Sequence, residues 1–226
     1  MYDYTQPLSR SEASRAKVRQ QTDIDVGGAR WALLPDVFSP ADSKSSLAHL
    51  SLLEFPVGGT FLEIGSGIGL IAVQAALAGC RSVYATDLNP AAVKNTELNA
   101  ERFGVADRVT CVHSDLFDAL HDDAPAFDVV YWHSNNVWAP PELDLTAHEL
   151  AYVDPGYEAH QRYFREARNH LAPGGRVLIA LSSRAGRAEL DELAAAEEQR
   201  LITLDSTTVD EPEGPVVYEL LELVTR

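Results

Sequence analysis

The chain has 226 residues, 46% of them hydrophobic, so it can bury the core of one domain and does not have the composition of a disordered chain. Its formal net charge is −16, and because so negative a surface repels phosphate groups, we expect no nucleic-acid partner. Two isolated cysteines make no disulfide framework, and there is neither a signal-like N-terminus nor an apolar run of about 20 residues. The composition therefore favours a cytoplasmic protein without a membrane partner.

The first part of the chain differs in pattern from the rest. Residues 9–21 are polar and are predicted to form a helix, whereas residues 24–40 are rich in Gly, Trp and Pro and are predicted to be extended. We interpret residues 1–50 as an N-terminal lid over a single domain formed by residues 51–226.

From residue 60 onward, short β-branched runs alternate with segments of helical periodicity, which is typical of a parallel sheet covered by helices. The predicted strands are residues 60–64, 82–86, 108–113, 127–132, 176–181, 201–207 and 216–224. The predicted helices are residues 70–78, 90–103, 156–171 and 188–200. Pro173-Gly174-Gly175 is predicted to be a turn, and the acidic turn 210–214 suits an antiparallel return. The pattern predicts an α/β, Rossmann-like sheet of seven strands, mostly parallel with an antiparallel last strand, plus the short lid.

A glycine-rich segment, FLEIGSGIGL, follows the first of these strands and leads into a helix. Its glycines, Gly65, Gly67 and Gly69, permit a tight turn and let a ligand lie against bare backbone. A dinucleotide fingerprint would need glycine where this chain has Leu70, and a phosphate-binding loop would need a lysine that is missing. The remaining pattern is an acidic residue, Glu63, followed by three alternating glycines.

Three carboxylates end three successive predicted strands around this loop: Glu63, Asp87 and Asp115. A carboxylate beside the loop suits a ligand that carries positive charge and no phosphate, and S-adenosylmethionine (SAM), with its sulfonium and ammonium groups, meets that description. We predict that Asp87 binds the ribose hydroxyls and that Asp115 accepts a hydrogen bond from the adenine amino group, with Leu88 and Leu116 on either side of the ring. Each carboxylate alone also suits a solvent-facing strand end or a helix cap, and their combination is what supports a SAM site.

With these residues the chain resembles the class I SAM-dependent methyltransferases over residues 36–226. More narrowly, it resembles the group that contains the release-factor glutamine methyltransferases and the small-domain ribosomal RNA guanine methyltransferases. Residues 36–50, 127–136 and 157–179 carry that narrower resemblance. The resemblance implies SAM as the cofactor, held by the backbone of the glycine loop around Ser66 and by the carboxylates after the second and third strands.

The segment after the fourth predicted strand departs from that family. The family carries Asn-Pro-Pro-Tyr there, whose asparagine and backbone carbonyl hold a planar NH2 group, whereas this chain reads His133-Ser134-Asn135-Asn136. Histidine is the natural base near neutral pH, so we predict His133 as a base or as a group that orients the substrate, with Asn135 and Asn136 as hydrogen-bonding partners. The alternative is a polar turn whose side chains cap backbone groups.

Four further side chains are candidates for the wall of a substrate pocket: Trp31 in the lid, and Trp138, Tyr157 and His160 near the same mouth. The alternative for Tyr157 and His160 is packing of one helix face, and for Trp31 it is anchoring of the lid. The remaining histidines and acidic residues show no spacing typical of a metal site, so no metal is expected.

These interpretations lead to a methyltransferase that transfers a methyl group from SAM to a nitrogen or oxygen atom of a small polar metabolite. Two alternatives stay open: a protein side-chain amide N-methyltransferase, and a SAM-binding module without catalysis. Neither the atom methylated nor the oligomeric state can be predicted from the residues.

Overall fold

The computed structural model describes residues 3–121, 124–212 and 214–226. Its N-terminal elements are helix α1 (Thr5–Lys17), strands β1 (Thr22–Val26) and β2 (Ala29–Leu33), a 3₁₀ helix (Pro40–Asp42) and helix α2 (Ser45–Leu50). The elements that follow are β3 (Thr60–Ile64), α3 (Leu70–Leu77), β4 (Ser82–Asp87), α4 (Pro90–Arg102), β5 (Val109–His113), β6 (Phe127–His133), β7 (Trp138–Ala139), α5 (Ala147–Leu150), β8 (Asp154–Pro155), α6 (Glu158–Glu166), a second 3₁₀ helix (Ala167–His170), β9 (Leu171–Ser182), α7 (Arg187–Ala196), β10 (Gln199–Glu211) and β11 (Gly214–Thr225).

Seven strands form one sheet in the order β10-β11-β9-β6-β3-β4-β5. The five strands from β9 to β5 run parallel to one another. Strand β11 runs antiparallel to both of its neighbours, β9 and the outer strand β10. The predicted α/β sheet of seven strands, mostly parallel with an antiparallel end, is confirmed. Of the predicted acidic turn between the last two strands, Glu213 lies outside the described residues. Among the helices that the structure describes, none is long and apolar enough to cross a bilayer.

Helices cover both faces of the sheet, so the inner strand β3 is buried at every position. Successive residues of β3 therefore face different cores. Phe61 packs in a cluster with α3 and α4, and Leu62 packs in a second cluster with α6 and α7. Because parallel strands all end at the same edge of the sheet, this arrangement brings the predicted site residues to one edge.

The β1–β2 hairpin is fixed to helix α4 by buried side-chain amides. The backbone N–H of Ala32 donates to Asn99 Oδ1 at 2.8 Å, and the Ala32 carbonyl accepts from Asn95 Nδ2 at 2.8 Å and Asn99 Nδ2 at 2.9 Å. Trp31, in the same strand, is fully buried and packs on Phe103, with 4.2 Å between the ring centroids. This part of the N-terminal segment therefore shares the core of the main sheet.

The predicted Pro173-Gly174-Gly175 turn is instead an irregularity inside strand β9, whose pairing with β6 shifts register between Phe127 and Val129. Gly174 has φ of 81°, and a Cβ at Gly175 would lie 2.6 Å from the Phe127 carbonyl oxygen. At this bulge the backbone of β9 lies so close to that of β6 that there is no room for a side chain. Glycines therefore occur here within a strand.

Candidate active site

The glycine loop between β3 and α3 adopts a backbone that favours glycine. Gly65, Gly67 and Gly69 have φ of 70°, 56° and 83°. A Cβ at Gly67 would meet nothing within 4 Å, whereas one at Gly69 would lie 2.8 Å from the Cγ2 atom of Thr96. Gly67 thus leaves open space beside the loop. Gly69 packs closely against α4 and is not among the residues that line the cavity described below, and its contact with the cofactor stays a prediction.

Helix α4 also holds the loop by hydrogen bonds. Thr96 Oγ1 donates to Ser66 Oγ at 2.9 Å, and Asn99 Nδ2 donates to the Ile68 carbonyl at 2.8 Å. All four residues are buried. The loop is therefore rigidly positioned before any ligand binds, which lowers the entropic cost of binding.

Two carboxylates flank the loop, Glu63 buried and Asp87 partly buried. Asp87 accepts hydrogen bonds from the backbone N–H of Gly67 at 2.9 Å and of Asn89 at 2.8 Å, and Glu63 accepts from the N–H of Ala72 at 2.8 Å. Burial raises the pKa of Asp87 and raises that of Glu63 well above its usual value, with the nearby charge of Asp87 adding to the rise at Glu63. A cationic ligand in this place would stabilise the ionised form of both carboxylates.

Asp115 lies at the next strand end and forms an ion pair with Arg162, with 2.7 Å between Oδ2 and Nη1. Arg162 also pairs with Asp118 at 3.0 Å. Leu88 is 42% exposed, and Leu116 is buried. Arg162 is not among the predicted site residues, because it lies on α6, far from the loop in the chain. It pairs with Asp115, the carboxylate that is predicted to bind adenine.

A cavity of about 1330 Å³ opens along this edge of the sheet. The predicted residues that line it are Glu63, Gly65, Ser66, Gly67, Asp87, Leu88, Asp115, Leu116, His133, Asn135 and Asn136. Its other wall includes residues of α1, of the 3₁₀ helix Pro40–Asp42 and of α2, which we call the roof. The cavity exceeds the roughly 300–1,000 Å³ typical of one ligand pocket, so it has room for a cofactor and a second ligand.

His133, at the end of β6, pairs with a histidine of the roof. Its Nε2 lies 3.1 Å from Nδ1 of His49, and Nε2 of His49 lies 3.0 Å from the Leu181 carbonyl oxygen. Burial lowers the pKa of His49 to about 4, and burial together with the neighbouring His49 lowers the pKa of His133 well below 6.5. Both rings are therefore neutral at neutral pH.

The two asparagines after His133 have different surroundings. Asn135 Nδ2 donates to the carbonyls of Leu150 at 2.6 Å and Val153 at 2.8 Å, and its Oδ1 is buried without a hydrogen-bond partner among the described residues. Asn136 Oδ1 accepts from Ser182 Oγ at 2.8 Å, and its Nδ2 donates to the Ser134 carbonyl at 3.0 Å. The contacts of Asn136 are those of a polar turn, whereas Asn135 keeps one oxygen unpaired.

None of the four residues predicted to form a substrate wall is among those that line the cavity. Trp31 lies in the core, and Trp138 packs against the cluster next to α6. Tyr157 is buried, donates to the Asn136 carbonyl at 3.0 Å and accepts from the Gly186 N–H at 2.7 Å. His160 is fully buried, and its Nδ1 lies 2.6 Å from an Asp154 oxygen. Trp31, Tyr157 and His160 thus lie in packed, buried surroundings, and a role of the four residues in a substrate wall stays a prediction.

His148, for which no role is predicted, also lines the cavity. It is buried, and its Nδ1 lies 2.7 Å from the Oγ of Ser11 in the roof helix α1. Ser11 and His148 are 137 residues apart in the chain, so no short sequence motif predicts their contact. The contact follows only from the packing of the roof.

Comparison with known proteins identifies the family. The model of the methyltransferase small domain matches residues 30–199. The chain is 31% identical over 175 residues to a putative protein N5-glutamine methyltransferase of Methanocaldococcus jannaschii, covering 74% of this chain and 82% of that protein. It is 34% identical over 185 residues to a release factor glutamine methyltransferase of Cereibacter sphaeroides, covering 78% of this chain and 65% of that protein.

A solved structure with a similar fold is a T. thermophilus 16S rRNA N2 methyltransferase in complex with AdoMet and guanosine. The TM-score is 0.61 at 23% identity, and the match covers 92% of this chain and 50% of that one. The fold of this chain is therefore that of Rossmann-like methyltransferases.

The residues at the loop fit SAM. The open space beside Gly67 admits a ligand close to the backbone. The buried carboxylate of Glu63 and the partly buried one of Asp87 favour a cation and disfavour a phosphate. This chemistry agrees with the family match over residues 30–199 and with the similarity to two glutamine methyltransferases: all three indicate methyl transfer from SAM. The chain therefore belongs to the methyltransferase small domain family and is a SAM-dependent methyltransferase.

Proposed function

We propose that this enzyme N-methylates a primary amide on a protein side chain, with His133 as the group that accepts the proton of the reacting nitrogen. The observation that carries the proposal is the position of His133, which lines the cavity at the end of β6 while no described residue makes a hydrogen bond to its Nδ1. Two relatives named for glutamine methylation favour an amide over other nitrogen groups.

A weakly basic histidine suits an amide acceptor. An amide nitrogen that has gained a methyl group carries positive charge and is a strong acid, so an imidazole of low pKa still removes its proton. Because burial keeps His133 neutral, the ring is ready to accept without first losing a proton of its own. Asn135 also lines the cavity, and its Oδ1 is buried without a partner, so it would accept from the second proton of an NH2 group only after the side chain moves.

The cofactor half of the cavity lies on the other side of the loop. There the backbone of Gly65 and Gly67, the carboxylate of Asp87 and that of Asp115 would hold SAM. When bound, SAM supplies an activated methyl group, so the protein contributes by orienting the acceptor nitrogen and by excluding water.

A small polar metabolite is the second candidate acceptor, and one observation favours it. The roof lines the cavity through residues such as Ser14, Pro40 and Ser46, so a protein substrate would have to reach the site past these N-terminal elements. An extended loop of a protein substrate would have to enter the same opening.

The test uses methyl-labelled SAM and a cell extract that is separated into protein and small-molecule fractions. We expect label in the protein fraction, on an amide nitrogen located by mass spectrometry, and about a hundredfold or greater loss of turnover in His133→Ala with little change in SAM affinity. The variant His133→Asn serves as the matched control, because its side chain accepts a hydrogen bond but is not a base. Label only in the small-molecule fraction would favour the metabolite. No label in either fraction, despite SAM binding, would overturn the proposal.

A further inference from the structure

The histidine pair between the roof and β6 forms an ordered row of hydrogen bonds. His49 is fully buried on α2, and its two ring nitrogens are both engaged, Nε2 with the Leu181 carbonyl at 3.0 Å and Nδ1 with His133 Nε2 at 3.1 Å. The rings of His49 and His133 meet edge to face, with 4.6 Å between their centroids.

The chemistry of the partners settles where the protons are. A carbonyl oxygen only accepts, so Nε2 of His49 carries the hydrogen. A neutral imidazole has one N–H, so Nδ1 of His49 has a lone pair and accepts from His133. Nε2 of His133 is therefore protonated, and the lone pair of His133 is on Nδ1.

The surroundings keep both rings neutral. The ring of Tyr218 lies edge-on to His49 at 5.0 Å between centroids, and its hydroxyl donates to Glu211, which also pairs with Arg184. Glu211 is thus already paired on two sides, and in the part of the chain that the structure describes no carboxylate makes a hydrogen bond to either histidine. Nothing adjacent would stabilise a positive charge on the pair before reaction.

We propose that His49 is a positioning residue that holds His133 in the tautomer whose Nδ1 lone pair faces the acceptor. The role of His49 in turnover rests on the proposed function, whereas the tautomer of His133 does not depend on that function. As the acceptor nitrogen bonds to the methyl carbon, the carbon–sulfur bond breaks and its electron pair stays on sulfur. The proton of that nitrogen passes to Nδ1 of His133. The resulting imidazolium still donates through Nε2 to Nδ1 of His49, so the contact that sets the tautomer remains in place while the proton is transferred.

The arrangement also selects the acceptor. A site that presents a lone pair on Nδ1 requires a substrate that donates a hydrogen bond from the reacting atom, which is met by N–H or O–H and not by a tertiary amine or a thioether. Because His49 belongs to the roof, the acceptor site is complete only when α2 is packed against β9.

The experiment is 15N NMR of protein labelled at its histidines, in which the two ring nitrogens of a neutral histidine report its tautomer. The His133 signals are identified by their absence in His133→Asn. We expect the wild type to show a single Nε2–H tautomer, His49→Phe to show a mixture, and His49→Gln, which can still donate to Leu181 and accept from His133, to restore the wild-type form. In turnover, His49→Phe should lower kcat about tenfold or more with KM and SAM affinity nearly unchanged.

An Nδ1–H tautomer at His133 in the wild type would overturn the proposal, as would a tautomer that is unchanged in His49→Phe. If His49→Phe does not fold, a His49→Gln variant with a mixed tautomer would overturn it equally. The spectra need no acceptor substrate, so a failure to find methyl transfer while the tautomer follows His49 counts against the proposed function and not against the positioning of His133.

Discussion

Asp87 is the residue at which one substitution tests the SAM site most directly. Its carboxylate accepts from two backbone N–H groups, one of them in the glycine loop, and lines the cavity. Asp87→Ala should weaken SAM binding about tenfold or more, roughly 1.4 kcal/mol, in a calorimetric titration. Asp107→Ala, which removes an exposed carboxylate, is the control. Equal affinity in the wild type and in Asp87→Ala would remove Asp87 from the site.

The sequence predicts site residues that directly follow a strand. It does not predict site residues that only tertiary packing places beside the cavity. The placement of Asp87 follows from β4, because a strand of known position fixes where its last side chain lies. The pairing of His49 with His133 spans 84 residues and depends on the path of α2. Helical periodicity places Tyr157 and His160 near one face, but it cannot say whether that face meets a cavity or a core.

At the scale of elements, the attachment of the β1–β2 hairpin to α4 depends on Asn99. Removing its side chain leaves the Ala32 N–H and the Ile68 carbonyl without partners in a buried region. Asn99→Ala should lower the free energy of unfolding by about 3 kcal/mol, measured by urea denaturation. Glu101→Ala, an exposed change on the same helix, should cost far less. A similar cost in the two variants would show that the amide contacts contribute little.

Helix α2 makes the stability of the fold depend on pH through His49. Its pKa in the folded protein is about 4, against 6.5 when exposed, so the unfolded chain binds the proton more tightly. The contribution is therefore complete above pH 6.5, and the free energy of unfolding should fall by about 3 kcal/mol as the pH drops from 6.5 to 4. Urea denaturation of the wild type and of His49→Phe across this range measures it. Parallel curves for the two proteins would contradict the assignment.

The bulge in β9 is an element that the local sequence does not predict. The prediction of a turn at Pro173-Gly174-Gly175 is wrong, because the local pattern cannot distinguish a turn from a bulge within a strand. The distinction depends on the backbone of Phe127 in the neighbouring strand, which crowds Gly175.

For the whole molecule, the net charge of −16 lowers the stability of the folded state, because like charges on its surface repel one another. Added salt screens that repulsion, because the Debye length falls to about 10 Å at 0.1 M ionic strength. We expect Tm to rise on going from low to physiological salt, measured by differential scanning calorimetry. A neutral osmolyte at matched osmotic strength is the control. A fall in Tm with salt would show that ion pairs such as Arg176–Glu222 outweigh the repulsion.

The outer strand of the antiparallel end, β10, has 13 residues and pairs on one side only, as far as the described strands extend. Such a free edge offers backbone groups to another chain, and exposed Ile202 and Leu204 add apolar surface to it. The register shift between Thr203 and Asp205 interrupts the row of hydrogen-bonding groups at that place. Colloidal solubility at high concentration therefore depends on this irregularity and on the carboxylate of Asp205, features remote from any chemistry that the enzyme performs.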